Sequence, residues 1–107
     1  MSFSFDFLKM AGNYQQRVIG RIKPKNNKGI GISTCYVNDM DEFLYETALL
    51  DATGAHPVER YKTSQEAIRG HKKWIKKTKS IEKVIMLGSN DGIIRDREIE
   101  IKPVIFN

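Results

Sequence analysis

The chain has 107 residues, of which 40% are hydrophobic and 29% are charged, and its net charge at pH 7 is +5. We expect one soluble globular domain, residues 1–107, since no apolar run approaches the roughly 20 residues that cross a bilayer. One cysteine, Cys35, excludes an intrachain disulfide, and the first residues lack the pattern of a secretory signal, which together favour a cytosolic protein.

The N-terminal apolar segment, residues 1–12, contains Phe3, Phe5, Phe7, Leu8 and Met10. We expect a short helical turn near residues 6–10 that packs as a lid on the core, with a free amphipathic anchor or a partner-binding tail as the alternative. Residues 14–22 follow as a strand, because apolar side chains alternate there with polar ones. The loop over residues 24–31 matches neither the phosphate-binding nor the dinucleotide-binding glycine pattern.

Three further strands are predicted over residues 32–37, 43–50 and 58–62. The first two are joined by a polar connection of hairpin length, residues 38–42. The strand over residues 43–50 has apolar side chains on both faces, which is typical of a central strand covered on both sides. Residues 51–57 are interpreted as the next turn.

One amphipathic helix is predicted over residues 64–78. Thr63 and Glu66 have the spacing of a capping box, in which each side chain accepts a hydrogen bond from a backbone N–H at the helix start. An apolar face follows at helical spacing, formed by Ala67, Ile68, His71, Trp74, Ile75 and Thr78. The opposite side is basic, so we expect this helix to pack on a sheet with Trp74 near the centre of the interface.

The C-terminal residues, 81–107, predict a hairpin with strands over residues 81–87 and 93–101. Gly88 to Gly92 form its turn, because an Asp-Gly pair tolerates positive φ. The predicted fold class is therefore α+β: a twisted antiparallel sheet of about five to six strands packed against one main helix.

Positive charge is concentrated in two segments, and an acidic stretch separates them. Residues 17–28 contain no acidic residue, and residues 69–83 contain only Glu82. This distribution favours a local anion site over general coating of nucleic acid, with salt bridges between segments as the alternative. The sequence leaves open whether the two basic segments form one surface.

The basic helix face is the strongest candidate site. Eight residues are predicted to bind an anion: Arg60, Lys62, Thr63, Ser64, Arg69, Lys72, Lys73 and Lys76. Either a phosphate binds free backbone N–H groups at the helix start, or a nucleic-acid backbone runs along the helix. The alternative is a solvated face whose lysines only complement the helix dipole.

Catalytic, metal and cofactor sites are not expected. The two histidines, His56 and His71, are far apart in the sequence, and Cys35 has no partner cysteine for a zinc site. A Cys35–His71 pair or two glutamates, Glu46 and Glu59, could in principle react. We expect instead that Cys35 is a small core residue and that His71 is buried and bonded to a backbone carbonyl.

Several short motifs resemble, in order, a group of small phage and prophage proteins: FDFLK from Phe5, GNYxxR from Gly12, YETA from Tyr45, and RYxTxxEAxxGHKKW from Arg60 to Trp74. The resemblance covers roughly residues 5–78. No activity is assigned to this group, so the resemblance assigns no catalytic residue. It implies a viral or prophage gene product that acts in the bacterial host cytoplasm or in a virion.

We therefore expect a small non-enzymatic phage accessory protein, with counter-defence as a natural role and no membrane association. Its partner would be a nucleotide, a nucleic acid or an acidic surface of a bacterial host protein, and a homo-oligomer remains open. The alternatives are a structural or assembly component of a virion, a protein that sequesters a nucleotide signal, and a small hydrolase.

Overall fold

The computed structural model describes residues 18–37, 43–89 and 91–106. These ranges contain β1 (Val18–Ile22), a 3₁₀ turn (Pro24–Asn26), β2 (Gly31–Tyr36), β3 (Tyr45–Asp51), β4 (Gly54–Tyr61), α1 (Ser64–Lys77), β5 (Lys83–Met86) and β6 (Arg97–Glu100). The predicted α+β class is confirmed. The predicted N-terminal lid and the connection over residues 38–42 lie outside the described residues.

The described strands form two sheets rather than the single sheet predicted from the sequence. β1 to β4 make an antiparallel sheet in chain order, and β5 pairs with β6 in an antiparallel hairpin. β5 is attached to β4 by a hydrogen bond of 2.8 Å from the Leu87 N–H to the Pro57 carbonyl. The backbone N and O atoms of one strand residue point to the same edge of the strand. Pro57 has no N–H, so it offers β5 no backbone donor on this edge, and β4 and β5 cannot form a continuous ladder.

β4 begins four residues earlier than predicted, because the expected turn over residues 51–57 contracts to residues 52–53. The Asp51 carboxylate closes this turn by accepting hydrogen bonds from the Thr53 N–H (2.8 Å) and hydroxyl (2.6 Å) and from His56 Nε2 (3.0 Å). It also accepts the Lys102 N–H at 2.9 Å. Burial alone would raise the pKa of Asp51, but these hydrogen bonds hold it far below its usual range.

The core lies between the four-stranded sheet, α1 and the C-terminal hairpin. Its buried side chains are Ile30, Ile32, Leu49, Val58, Trp74, Val84 and Ile101. Trp74 is buried at this interface, as predicted, whereas Ile68 is 43% exposed because it lies at the margin of the apolar face of α1.

β3 pairs with β2 on one side and with β4 on the other, so it is an interior strand of the sheet. Its inward side chains, Thr47 and Leu49, are fully buried. Its outward side chains, Ala48 and Leu50, are only half-buried and line an open groove of about 420 Å³. α1 packs on the inner face of the sheet, where Thr47 and Leu49 are buried.

Candidate functional site

A row of exposed cations runs along the outer face of α1. Arg69, Lys72 and Lys76 are spaced three and four residues apart, which places them on one side of the helix. All three are exposed, and none of their side chains makes a hydrogen bond or ion pair with another described residue. At a rise of about 1.5 Å per residue, the row is about 10 Å long. We call these three residues the helix row.

The eight predicted site residues do not form one cluster, although Arg60, Lys62, Arg69 and Lys73 border a common cleft. Arg60 is on the opposite face of the sheet, where Nε bonds to Glu46 at 3.0 Å and Nη2 to the Gly88 carbonyl at 2.9 Å. Lys73 borders the helix row, but its Nζ is paired with Glu59 at 2.6 Å. Both cations are therefore already neutralised by carboxylates of this chain.

The start of α1 offers less to an anion than the sequence suggests. The capping box forms as predicted: Thr63 Oγ1 accepts the Glu66 N–H at 3.1 Å. The Glu66 carboxylate in turn accepts the N–H groups of Lys62 (3.0 Å) and Thr63 (3.2 Å). A carboxylate already occupies this end of the helix dipole and would repel a phosphate, so Lys62, Thr63 and Ser64 are weaker candidates than the helix row.

A cleft of about 440 Å³ lies between the end of β4 and the first half of α1. The residues that line it carry charges of both signs and include two aromatic rings: Phe43, Glu59, Arg60, Tyr61, Lys62, Glu66, Arg69, Gly70 and Lys73. Lys62 Nζ lies 5.8 Å from the centre of the Phe43 ring, a distance at which a cation is attracted to the ring. Four basic residues and two carboxylates line this cleft, and Arg60 and Lys73 are already paired with carboxylates, so an anion in the cleft would meet charges of both signs.

Glu59 accepts more hydrogen bonds than any other side chain of the cleft. Its Oε1 accepts hydrogen bonds from Lys73 Nζ, from Trp74 Nε1 at 2.8 Å and from the Tyr61 hydroxyl at 3.1 Å. Burial acts to raise the pKa of Glu59, but the bonds from Lys73 and Trp74 outweigh it and the pKa is lowered. Glu59 is thus a carboxylate at neutral pH.

A chain of hydrogen bonds runs from Glu59 into the core. The Tyr61 hydroxyl contacts Thr47 Oγ1 at 2.9 Å, Thr47 contacts Thr34 Oγ1 at 2.6 Å, and Thr34 contacts His71 Nδ1 at 2.7 Å. A carboxylate only accepts, so Tyr61 donates to Glu59 and must itself accept from Thr47. Each hydroxyl has one proton to donate, so the same logic makes Thr47 accept from Thr34, and Thr34 accept from His71.

This direction of donation determines the tautomer of His71. Its Nδ1 must carry the proton, while Nε2 lies against Gly20, where an added Cβ would overlap the imidazole ring. Burial lowers the pKa of His71, so the ring is neutral at pH 7. The prediction of a backbone carbonyl partner is therefore wrong, since the partner is the Thr34 hydroxyl. Inward-facing threonines on two adjacent strands were the signal that could have indicated it.

The pairs considered for catalysis are kept apart by the sheet. Cys35 follows the buried Thr34 on β2, so the two side chains point to opposite faces and His71 contacts only the Thr34 side. Glu46 is aligned with Arg60 and Glu59 with Thr47, which places the two glutamates on opposite faces as well. In the described ranges, no three His, Cys, Asp or Glu residues are grouped as a metal site would require.

None of the helical segments in residues 18–37, 43–89 and 91–106 has both the length and the apolar content needed to span a bilayer.

Comparisons of the chain with protein-family models, with curated proteins and with solved structures find no match. The resemblance to small phage proteins therefore stays a prediction. The strongest candidate for a functional surface is the helix row.

Proposed function

We propose that this protein is a non-enzymatic phage accessory protein whose α1 binds the sugar–phosphate backbone of a nucleic acid. The observation that carries the proposal is the helix row: Arg69, Lys72 and Lys76 are exposed and have no partner among the described residues. Cations that are already paired, such as Lys73, gain less from a phosphate because an existing ion pair must first be broken.

An extended polyanion fits this surface better than a single nucleotide does. The row is about 10 Å long on a straight helix. Its neighbours on that side of α1 are Gln65, Lys73 and the 43% exposed Ile68, and Glu66 lies at its edge. No aromatic ring lies on that side, and single-strand binders usually stack bases on aromatic side chains. A nucleotide in the neighbouring cleft would meet Glu59 and Glu66. These features favour backbone contacts to a duplex, which position a protein without reading sequence.

The test compares binding of wild-type protein and R69Q/K72Q/K76Q to a fluorescent 20-base-pair duplex by anisotropy. Glutamine keeps helix propensity close to that of lysine and arginine, so the fold should be retained. The matched control is K83Q/R95Q/R97Q, which removes the same charge from three exposed cations of the C-terminal hairpin. We expect the helix variant to lose most of its binding and the hairpin variant to resemble the wild type. Equal losses would mean that only net charge matters, and the proposal would fail.

The same test can distinguish a nucleic-acid partner from a protein partner with an acidic surface. A labelled poly-glutamate peptide that binds more tightly than the duplex, and loses binding in R69Q/K72Q/K76Q, would redirect the proposal to a host-protein partner. In either case the proposed place of action is the bacterial host cytoplasm, where counter-defence would require contact with host molecules.

A virion structural or assembly role is the second candidate, and one observation favours it. Ile93 and Ile94 are 81% and 60% exposed in the loop between β5 and β6, which is unusual for adjacent large apolar side chains. This role predicts self-association in analytical ultracentrifugation that is lost in I93S/I94S. A monomer at all concentrations would argue against it and leave the nucleic-acid proposal unaffected.

A further inference from the structure

We infer that the binding surface continues past the C-terminal end of α1 onto the turn over residues 24–29, so that the helix row and Lys79 form one surface for the nucleic-acid backbone with Lys25 and Lys28. This inference rests on the proposed function and extends it to a second element. The sequence alone leaves this open, because 40 residues, 29–68, separate the two basic segments.

The contact that joins the two segments is a side-chain hydrogen bond. Asn27 Nδ2 donates to Thr78 Oγ1 at 3.1 Å, and Thr78 is the C-cap residue of α1. The same Nδ2 donates to the Ile30 carbonyl at 2.8 Å. The turn that carries Lys25 and Lys28 is therefore attached directly to the C-cap of α1, which lies between Lys76 in the helix and Lys79 after it.

The turn is held in one conformation from several sides. The Pro24 carbonyl accepts the N–H groups of Asn27 at 3.1 Å and of Gly29 at 2.8 Å. The Gly29 carbonyl in turn accepts the Val104 N–H at 2.9 Å. Side chains on this turn therefore project from a backbone whose hydrogen bonds are already satisfied within the chain.

Lys28 has an unusual backbone at the tip of this turn. Its φ is +53°, a left-handed conformation that is uncommon for residues other than glycine and is best tolerated by asparagine and aspartate. Local backbone preference therefore does not favour a lysine at this position.

The charges of this end of the molecule are available to a ligand. Lys25, Lys28 and Lys79 are exposed, and none of their side chains makes a hydrogen bond or ion pair with another described residue. Of the nearby carboxylates, Glu100 is paired with Lys102 at 2.9 Å. Glu82 follows Lys79 by three residues and is exposed. A phosphate backbone that follows the helix row toward Thr78 would meet Lys79, Lys25 and Lys28 next.

The test is the salt dependence of duplex binding by K25Q/K28N, with R95Q/R97Q as the charge-matched control on the hairpin. Asparagine at position 28 removes the charge and suits the left-handed backbone, so thermal unfolding should be unchanged or shifted slightly upward. If each lysine contacts one phosphate, the slope of log K against log salt should become shallower by about 1.8 for a duplex. The hairpin variant should keep the wild-type slope.

The outcomes separate the inference from the proposed function. If R69Q/K72Q/K76Q weakens binding but K25Q/K28N behaves like R95Q/R97Q, the helix row binds the backbone alone and the extension is wrong. If wild-type protein does not bind a duplex, or all variants lose binding equally, the proposed function fails and the extension fails with it. A shallower slope in K25Q/K28N alone, beside an unchanged helix variant, would overturn the proposed function by moving the site to the turn.

Discussion

Replacing Thr47 or Thr34 with valine tests whether the buried hydrogen bonds form one connected chain. Both threonines are fully buried, and valine has nearly the same shape, so little cavity or overlap arises. Thr47→Val leaves the Thr34 hydroxyl without an acceptor and the Tyr61 oxygen without its donor. Thr34→Val leaves the His71 Nδ1–H without an acceptor and the Thr47 oxygen without its donor.

The magnitude follows from counting the groups that lose a partner. A buried group left unsatisfied costs about 1–3 kcal/mol, and two groups lose a partner in each single variant, so each should lower the free energy of unfolding by about 2–6 kcal/mol. In the double variant the Thr34 and Thr47 hydroxyls, each of which loses a partner in one single variant, are both absent. Only the His71 Nδ1–H and the Tyr61 oxygen then lack partners. The double variant should therefore cost no more than one single variant, roughly 2 kcal/mol or more short of additivity.

Urea unfolding followed by fluorescence measures all four free energies, because Trp74 is the only tryptophan and is buried in the core. Effects that add to within about 0.5 kcal/mol would refute the reasoning, since independent hydrogen bonds behave in that way. Single variants within about 0.5 kcal/mol of wild type would show that the two hydroxyls do not form the contact.

Four further predictions concern the helix. Gly70→Ala should destabilise the protein despite the higher helix propensity of alanine, because a Cβ at position 70 would overlap the Tyr61 ring; a higher melting temperature would contradict this contact. Trp74→Ala should lower the free energy of unfolding by about 3–5 kcal/mol, and a near-neutral result in urea unfolding would mean that the ring is not packed in the core. Long-range ¹H–¹⁵N NMR at pH 7 should show neutral His71 protonated at Nδ1, and an Nε2–H signal would reverse the inferred direction of the chain. Burial lowers the pKa of His71 in the folded state. The stability that the neutral ring contributes is therefore present above the unfolded pKa of about 6.5 and is lost as the pH falls below it. The urea midpoint of the wild type should drop between about pH 7.5 and 5.5, and it should drop less in His71→Gln.

The sequence predicts elements whose signals are local. The capping box of Thr63 and Glu66 defines the start of α1, and the structure has the helix begin at Ser64. The start of β4 was missed because the Asp51 carboxylate, not a run of turn residues, closes the preceding turn. The separation of the two sheets depends on which edge of β4 faces β5, and this is a property of the assembled fold.

The candidate site shows the same division between local and long-range information. Helical spacing is enough to place Arg69, Lys72 and Lys76 on one face. It cannot show that Lys73 is paired with Glu59 or Arg60 with Glu46, because these partners come from strands whose register is set by tertiary packing. The contact between Asn27 and Thr78, which joins the two basic segments, spans 51 positions of the sequence and could not be predicted from either segment.

The central claim is that the helix row contacts nucleic-acid phosphates, and the salt dependence of duplex binding tests it most directly. Anisotropy titrations of wild-type protein and R69Q/K72Q/K76Q at several salt concentrations give the slope of log K against log salt for each. Three lost phosphate contacts should make the slope of the variant shallower by about 2.7. Parallel lines for the two proteins would contradict the claim, because they would mean that Arg69, Lys72 and Lys76 release no counterions on binding.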